Sequence, residues 1–166
     1  IFLGNHGLVV AGDNLIEVVQ TLYKISDRLF VEPKKKRLPN VELLEELSKG
    51  SRYRPSKFEN SHQIAFDENS IKIVSKGSLY PDNVVFLGPS AIICKDQKDL
   101  KNIFCFAEKM PIMPFIVIPD AGVIVPKEIS LSGEEMVNAL SIILSKIPKN
   151  TKLNFLSKKD EDELIN

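Results

Sequence analysis

The sequence predicts an α/β protein in two parts: a strand-turn-strand-helix unit over residues 1–32 and a layered α/β domain with a mixed sheet over residues 40–166, joined by a linker at 33–39. Three observations carry this prediction. Short runs of Val, Ile and Leu alternate with stretches whose apolar residues recur every three or four positions, the periods of strands and helices. Two strand-like runs, 115–119 and 123–126, are separated only by Asp120-Ala121-Gly122, so they pair as a hairpin and the sheet is not purely parallel. Between the two parts, Glu32-Pro33-Lys34-Lys35-Lys36-Arg37-Leu38-Pro39 breaks every period with two prolines and four consecutive cations.

Taken in order, residues 1–12 read as two short strands around the turn Asn5-His6-Gly7. A helix follows. Asp13 or Asn14 can cap it, and Glu17 stands three after Asn14 as in a capping box. Leu15, Val18, Val19, Leu22, Ile25 and Leu29 give it one apolar face, expected to pack on the opening strands. The cationic run is expected to be solvated, because no aromatic residue is interleaved with it as in a nucleic-acid contact. Asn40 caps a short helix through Leu43, Leu44 and Leu47, and residues 51–62, with His62 at the surface, read as irregular chain. Asp67 caps a further helix that stops at Gly77 in a left-handed conformation. The unbroken apolar run 84–89 suits a strand covered on both faces, and 91–94 suits another. A helix starting at Asp96 runs through Leu100, Ile103, Phe104 and Ala107, and the hairpin follows it. Ser132 caps the next helix, with Met136, Ala139, Leu140, Ile143 and Leu144 inward, and Glu134 and Glu135 in its first turn, where the dipole favours anions. A strand at 153–156 and a helix capped by Ser157 close the chain.

Composition narrows function by exclusion. Lys and Arg number 22 and Asp and Glu 22, so no global field recruits nucleic acid or an anionic membrane surface. No apolar run approaches the roughly 20 residues that span a bilayer. Cys94 and Cys105 sit in apolar company and are expected to be buried free thiols of a reducing, cytoplasmic compartment. No glycine-rich phosphate loop and no nucleophile elbow is present. Ile1 opens in mid-strand and Glu163-Leu164-Ile165-Asn166 stops within a helical pattern, so the sequence reads as a fragment.

The chemical candidates are few. His6, between glycines that let other atoms approach, suits either a hydrogen-bonded turn or a metal ligand. Asp82 and Asp120 lie in turns at predicted strand ends, where α/β sheets gather binding groups. Arg52 and Arg54 could meet a small anion beside a helix N-terminus.

Leu3-Gly4-Asn5-His6-Gly7-Leu8-Val9-Val10-Ala11-Gly12-Asp13, with the helix that carries Glu17, resembles the class II aldolase/adducin family. Gly77-Ser78-Leu79-Tyr80-Pro81-Asp82-Asn83 and the run after it resemble a segment downstream of the aldolase domain in longer bacterial members, with Asn83 where relatives usually carry His. The resemblance makes residues 1–32 the C-terminal remnant of an aldolase-like domain. It implies that His6 is the last of three zinc-binding histidines, the His-x-His pair and the acid-base glutamate lying upstream. It implies zinc-dependent aldol cleavage of a sugar or sugar phosphate, with zinc as the Lewis acid, and a homo-oligomer. Asn5 and Gly7, which shape the turn, join Asp82 and Asp120 as the candidate substrate-binding residues. A single ligand of three binds zinc weakly, so the fragment alone is expected to be inactive. The alternatives are a non-catalytic, adducin-like interaction domain and a domain that binds a small anionic ligand.

Overall fold

A computed structural model describes residues 1–4, 6–32 and 34–165. The α/β class is correct: a four-stranded mixed sheet lies between two helical layers. Its strands are β3 (Tyr53–Pro55), β4 (Ile92–Ile93), β5 (Ile116–Ile118) and β6 (Gly122–Pro126), in the order β3-β6-β5-β4. The predicted hairpin pairs β5 with β6 in the register Val117 to Val123; β3 pairs antiparallel to β6, and β4 parallel to β5.

Strand alternation divides the core between the two faces. Ile116, Ile118 and Ile124 pack with Tyr53, Leu44, Leu100 and Ala107, under α2 (Val41–Ser48) and α5 (Leu100–Ala107). Val117, Val123 and Val125 face the other way, toward Ile64, Val74, Leu87, Val137, Leu140 and Leu144. Those come from a 3-10 helix (Glu59–Phe66), α3 (Glu68–Lys76), α4 (Pro81–Leu87) and α6 (Leu131–Lys146). Because both faces are covered, every residue of β5 and β6 is buried, which is why the two read as unbroken apolar runs. Tyr53 stacks on Phe104 at 5.2 Å and donates its hydroxyl to the Pro114 carbonyl at 3.0 Å, so the largest buried side chain has no orphan polar atom.

Several expectations give way to the structure. The run 84–87 is helical, not a strand: Pro81 occupies the first turn of α4, and Asn83, Val84 and Leu87 are buried at helical spacing while Val85 and Phe86 are exposed. A short apolar run has no period of its own, and proline at the helix start was the better signal. Residues 51–62, expected to be irregular, hold β3 and the first half of the 3-10 helix. Residues 153–156 form no strand; Lys76, the last residue of α3, lies over the Phe155 ring. Gly77 is extended, not left-handed. Ser130, not Ser132, caps α6 by accepting from the Gly133 amide, and on this helix Ile143 is exposed while Val137 is buried. Asn14, Asn40 and Asp67 cap their helices as expected. Cys94 is buried, but Cys105 is exposed on α5.

The N-terminal segment forms a small hairpin, β1 (Phe2–Leu3) with β2 (Gly7–Leu8), and then α1 (Leu15–Leu29). The expected packing of α1 on these strands is weak. None of its residues is buried; Val18, Thr21 and Ile25 are half-buried, and Leu15, Ile16, Leu22, Tyr23 and Leu29 are exposed. Among the described residues, no helix is long and apolar enough to cross a membrane.

His62 is the largest departure. It is only 2% exposed and completes the β3–β6 ladder. In a regular antiparallel ladder the 56/123 pair would exchange two backbone hydrogen bonds. Here the Ser56 amide donates to the Val123 carbonyl at 3.1 Å, while the Val123 amide donates to His62 Nδ1 at 3.1 Å. His62 Nε2 lies 3.1 Å from the Ser56 carbonyl. With Nδ1 accepting, Nε2 carries the proton and donates, so a neutral ring relays the missing ladder bond. Gly122 makes room for it: a Cβ there would lie 2.7 Å from His62 Nδ1 and 2.8 Å from Leu44 Cδ1, at a φ of +149 that side chains disfavour.

Burial holds the His62 pKa below that of a free imidazole, against smaller opposing effects of the Ser56 carbonyl and the Glu134 charge. As pH falls, the unfolded chain therefore takes up this proton first and folding weakens. Stability should decline below about pH 6.5, by at most about 1.4 kcal/mol per pH unit. Urea denaturation between pH 7.5 and 5 checks this. The slope between 6.5 and 5 should flatten in His62→Gln, and a flat wild-type profile would contradict the neutral relay.

Candidate functional site

Three places gather polar chemistry. The first is the β1–β2 turn. The His6 amide donates to the Leu3 carbonyl at 3.2 Å, and the ring Nδ1 lies 3.0 Å from the Gly4 carbonyl. A carbonyl only accepts, so Nδ1 carries a proton, and in the neutral ring that leaves the lone pair on Nε2. That tautomer is the one in which a histidine binds a metal through Nε2. The ring is exposed, and Gly7 turns the chain at a φ of +134. Asn5 lies outside the described residues. Asp82 is exposed in the first turn of α4, where burial and then its charge push the Tyr80 hydroxyl up to about 12. Asp120 occupies the left-handed position of the β5–β6 turn at a φ of 59, and its Oδ1 meets Arg37 Nη1 at 3.2 Å. The structure does not unite these residues: among the described residues no three His, Cys, Asp or Glu side chains are placed to hold a metal.

The second place is a buried ion pair that sequence reasoning missed. Arg54 on β3 meets Glu134 in two parallel contacts, Nη1 to Oε1 at 2.8 Å and Nη2 to Oε2 at 2.6 Å. Glu134 Oε1 also accepts from the Lys57 amide at 2.6 Å and the Ser56 hydroxyl at 3.2 Å. Burial would raise the Glu134 pKa, but the bonds from Arg54, Lys57 and Ser56 outweigh it and hold the carboxyl below its usual range. Every oxygen is committed, so the cluster has nothing left for a ligand. It also corrects the expectation of an arginine anion site: Arg54 is bound to Glu134, and Arg52 lies 3.3 Å from Glu128. Glu134 was visible in the sequence only as a favourable first-turn acid; its partner lies 80 residues away.

The third place is a cleft of about 310 Å³ between the cationic run and α6. The run is not a free linker. Gln63 brackets Arg37, accepting from its amide and donating to its carbonyl, each at 2.8 Å. The Arg37 guanidinium lies 4.5 Å above the Phe66 ring, and the Asn40 amide donates to the Ala121 carbonyl at 2.9 Å. The chain is thus strapped across the 3-10 helix, with Lys34, Lys35 and Lys36 on one wall of the cleft and Lys146, from the last turn of α6, on the other. The floor holds Asp67 and Ser70; Lys34 Nζ reaches Asp67 Oδ2 at 3.0 Å. Burial would raise the Asp67 carboxyl, yet Ser70 and Lys34 together hold it below its ordinary value. The sequence displayed the run, but nothing in it linked residues 34–37 to Lys146.

No protein-family model, curated protein or solved structure matches this chain.

Truncating Glu134 would leave Arg54, with a side chain 23% exposed, without its counter-charge, and would free the Lys57 amide. Glu134→Ala should cost about 3 kcal/mol in urea denaturation at pH 7. The double variant Arg54→Ala/Glu134→Ala should lose at least about 1 kcal/mol less than the sum of the two single changes. Additive losses would show that the pair contributes no coupling.

Proposed function

We propose that this chain is the distal part of a class II aldolase-like, sugar-metabolising cytoplasmic protein. Residues 1–32 would be the closing hairpin and helix of its metal-dependent domain, and residues 40–166 the α/β domain that follows. The observation that carries the reading is His6: an exposed imidazole at a hairpin tip, with Nδ1 fixed by the Gly4 carbonyl and Nε2 free to bind a metal. The bare apolar face of α1 also supports it, since a helix patterned to be buried finds so little cover among the described residues.

The donor set does not fit a complete zinc site. Among the described residues no three His, Cys, Asp or Glu side chains gather at His6 or elsewhere, whereas zinc requires three or four ligands. No catalytic step is therefore assigned to this chain's residues. On this reading the His-x-His pair and the glutamate come from sequence upstream of Ile1, and the substrate is a sugar or sugar phosphate. The incomplete donor set also favours a second reading, an adducin-like domain that keeps the hairpin and helix for association and has lost the chemistry.

The coding sequence upstream of Ile1 and the metal content of the longest purified product test both readings. The first expects the three upstream groups and about one zinc per chain, with affinity at least tenfold lower in His6→Ala. Missing upstream ligands, or zinc binding unchanged in His6→Ala, would reject it. Upstream sequence without the ligands, combined with self-association lost on Leu22→Lys, would favour the second.

A further inference from the structure

We propose that the cleft between residues 34–37 and α6 is a binding site for a small organic phosphate. The inference does not rest on the aldolase reading, because every residue it uses lies outside the N-terminal hairpin and helix.

Charge is the first argument. Lys34, Lys35, Lys36, Arg37 and Lys146 line the cleft against a single carboxylate, Asp67. Asp67 already binds Lys34, and Arg37 is held by Asp120. Among the described residues, Lys35, Lys36 and Lys146 have no acidic partner. In a chain with no net charge, this is an imbalance created by the fold. Like charges repel, so fastening a cationic run beside a further lysine costs stability unless an anion offsets it.

Fixation is the second argument. A solvated basic tail needs no anchors, yet this run is anchored at several points. The Gln63 amide grips the backbone of Arg37, the guanidinium lies over Phe66, and Asn40 is tied to the β5–β6 turn. Lys35 and Lys36 are therefore carried between Lys34, tied to Asp67, and Arg37. A site built this way loses less side-chain and loop freedom on binding.

Size and lining name the ligand class. About 310 Å³ is at the lower end of small-molecule pockets, which suits a compact ligand more than a polymer. The lysine ammonium groups supply point charges for a phosphate dianion. The hydroxyl protons of Ser70, Ser141 and Ser145 go to the Asp67 carboxylate and to the carbonyls of Asn60 and Ile142. These hydroxyls therefore offer a ligand acceptors, not donors. Phosphate oxygens need donors and are left to the lysines, while the serines suit hydroxyl groups on the ligand's carbon frame.

Calorimetric titration of the purified chain at low salt tests the proposal, with inorganic phosphate, ribose 5-phosphate, ribose and a 20-nucleotide single-stranded RNA as probes. Ribose 5-phosphate should bind saturably at one site per chain, inorganic phosphate more weakly, and ribose not at all. Lys35→Ala/Lys36→Ala/Lys146→Ala alters only exposed side chains and should weaken ribose 5-phosphate at least tenfold with an unchanged Tm. The control Lys158→Ala/Lys159→Ala, on a helix that does not line the cleft, should bind as wild type. No saturable binding of either phosphate, or equal loss in the control, would overturn the site. RNA binding tighter than ribose 5-phosphate and lost in the triple variant would overturn it in favour of a nucleic-acid contact. None of these outcomes depends on zinc, so they leave the aldolase reading untouched.

Discussion

A neutral imidazole inserted into a β-ladder is the constraint on which much of the α/β domain depends. His62 replaces one backbone bond between β3 and β6 with two, from the Val123 amide to Nδ1 and from Nε2 to the Ser56 carbonyl. The ring must remain neutral to accept on one side while donating on the other. It must also be admitted, and Gly122 is the residue that admits it. Ser56 is thereby fixed at the end of β3, which sets Lys57 and the Ser56 hydroxyl where they meet Glu134. One buried ring thus connects the sheet edge, the 3-10 helix and the start of α6.

The same logic separates structural polarity from the polarity that can serve a ligand. Around Glu134, the bidentate Arg54, one backbone amide and one hydroxyl satisfy the carboxylate, so burial is compensated and little reactivity remains. Around residues 34–37 the order is reversed. The backbone is tied down and the exposed ammonium groups of Lys35 and Lys36 are not. A completed network stabilises a fold, and an uncompensated one on a fixed frame is available to bind. By that criterion the buried histidine and the buried glutamate are architecture, and the cleft is the candidate for function.

The fold class, the hairpin and most helix caps were legible because each has a local cause: a period, a two-strand turn, or an Asn or Asp that accepts from an amide three residues on. What was illegible was nonlocal. The run 84–87 became a helix because Pro81 starts it and both neighbouring layers leave it one buried stripe, a fact about packing. His62 read as a surface residue because its partners, Ser56 and Val123, are joined to it only through the sheet. Arg54 read as a free cation for the same reason, since Glu134 stands on another element. The basic run was read correctly as a break in periodicity and as exposed chain, but its anchoring was illegible, because Gln63 and Phe66 give no sequence sign that they will hold it.

The two parts of the chain differ in how complete they are as folding units, and this bears on where activity can reside. The α/β part buries aliphatic residues on both faces of its sheet and pairs its buried Glu134 and His62 internally. The N-terminal hairpin and α1 do neither: an amphipathic helix with Leu15, Ile16 and Tyr23 exposed has not found the surface its pattern was written for. His6 sits on that part, exposed and with Nδ1 3.0 Å from the Gly4 carbonyl, and among the described residues no three His, Cys, Asp or Glu side chains gather to hold a metal. On the aldolase-like proposal the surface that covers α1 would also carry the other zinc ligands to His6, whereas on the adducin-like one it would cover the helix without them.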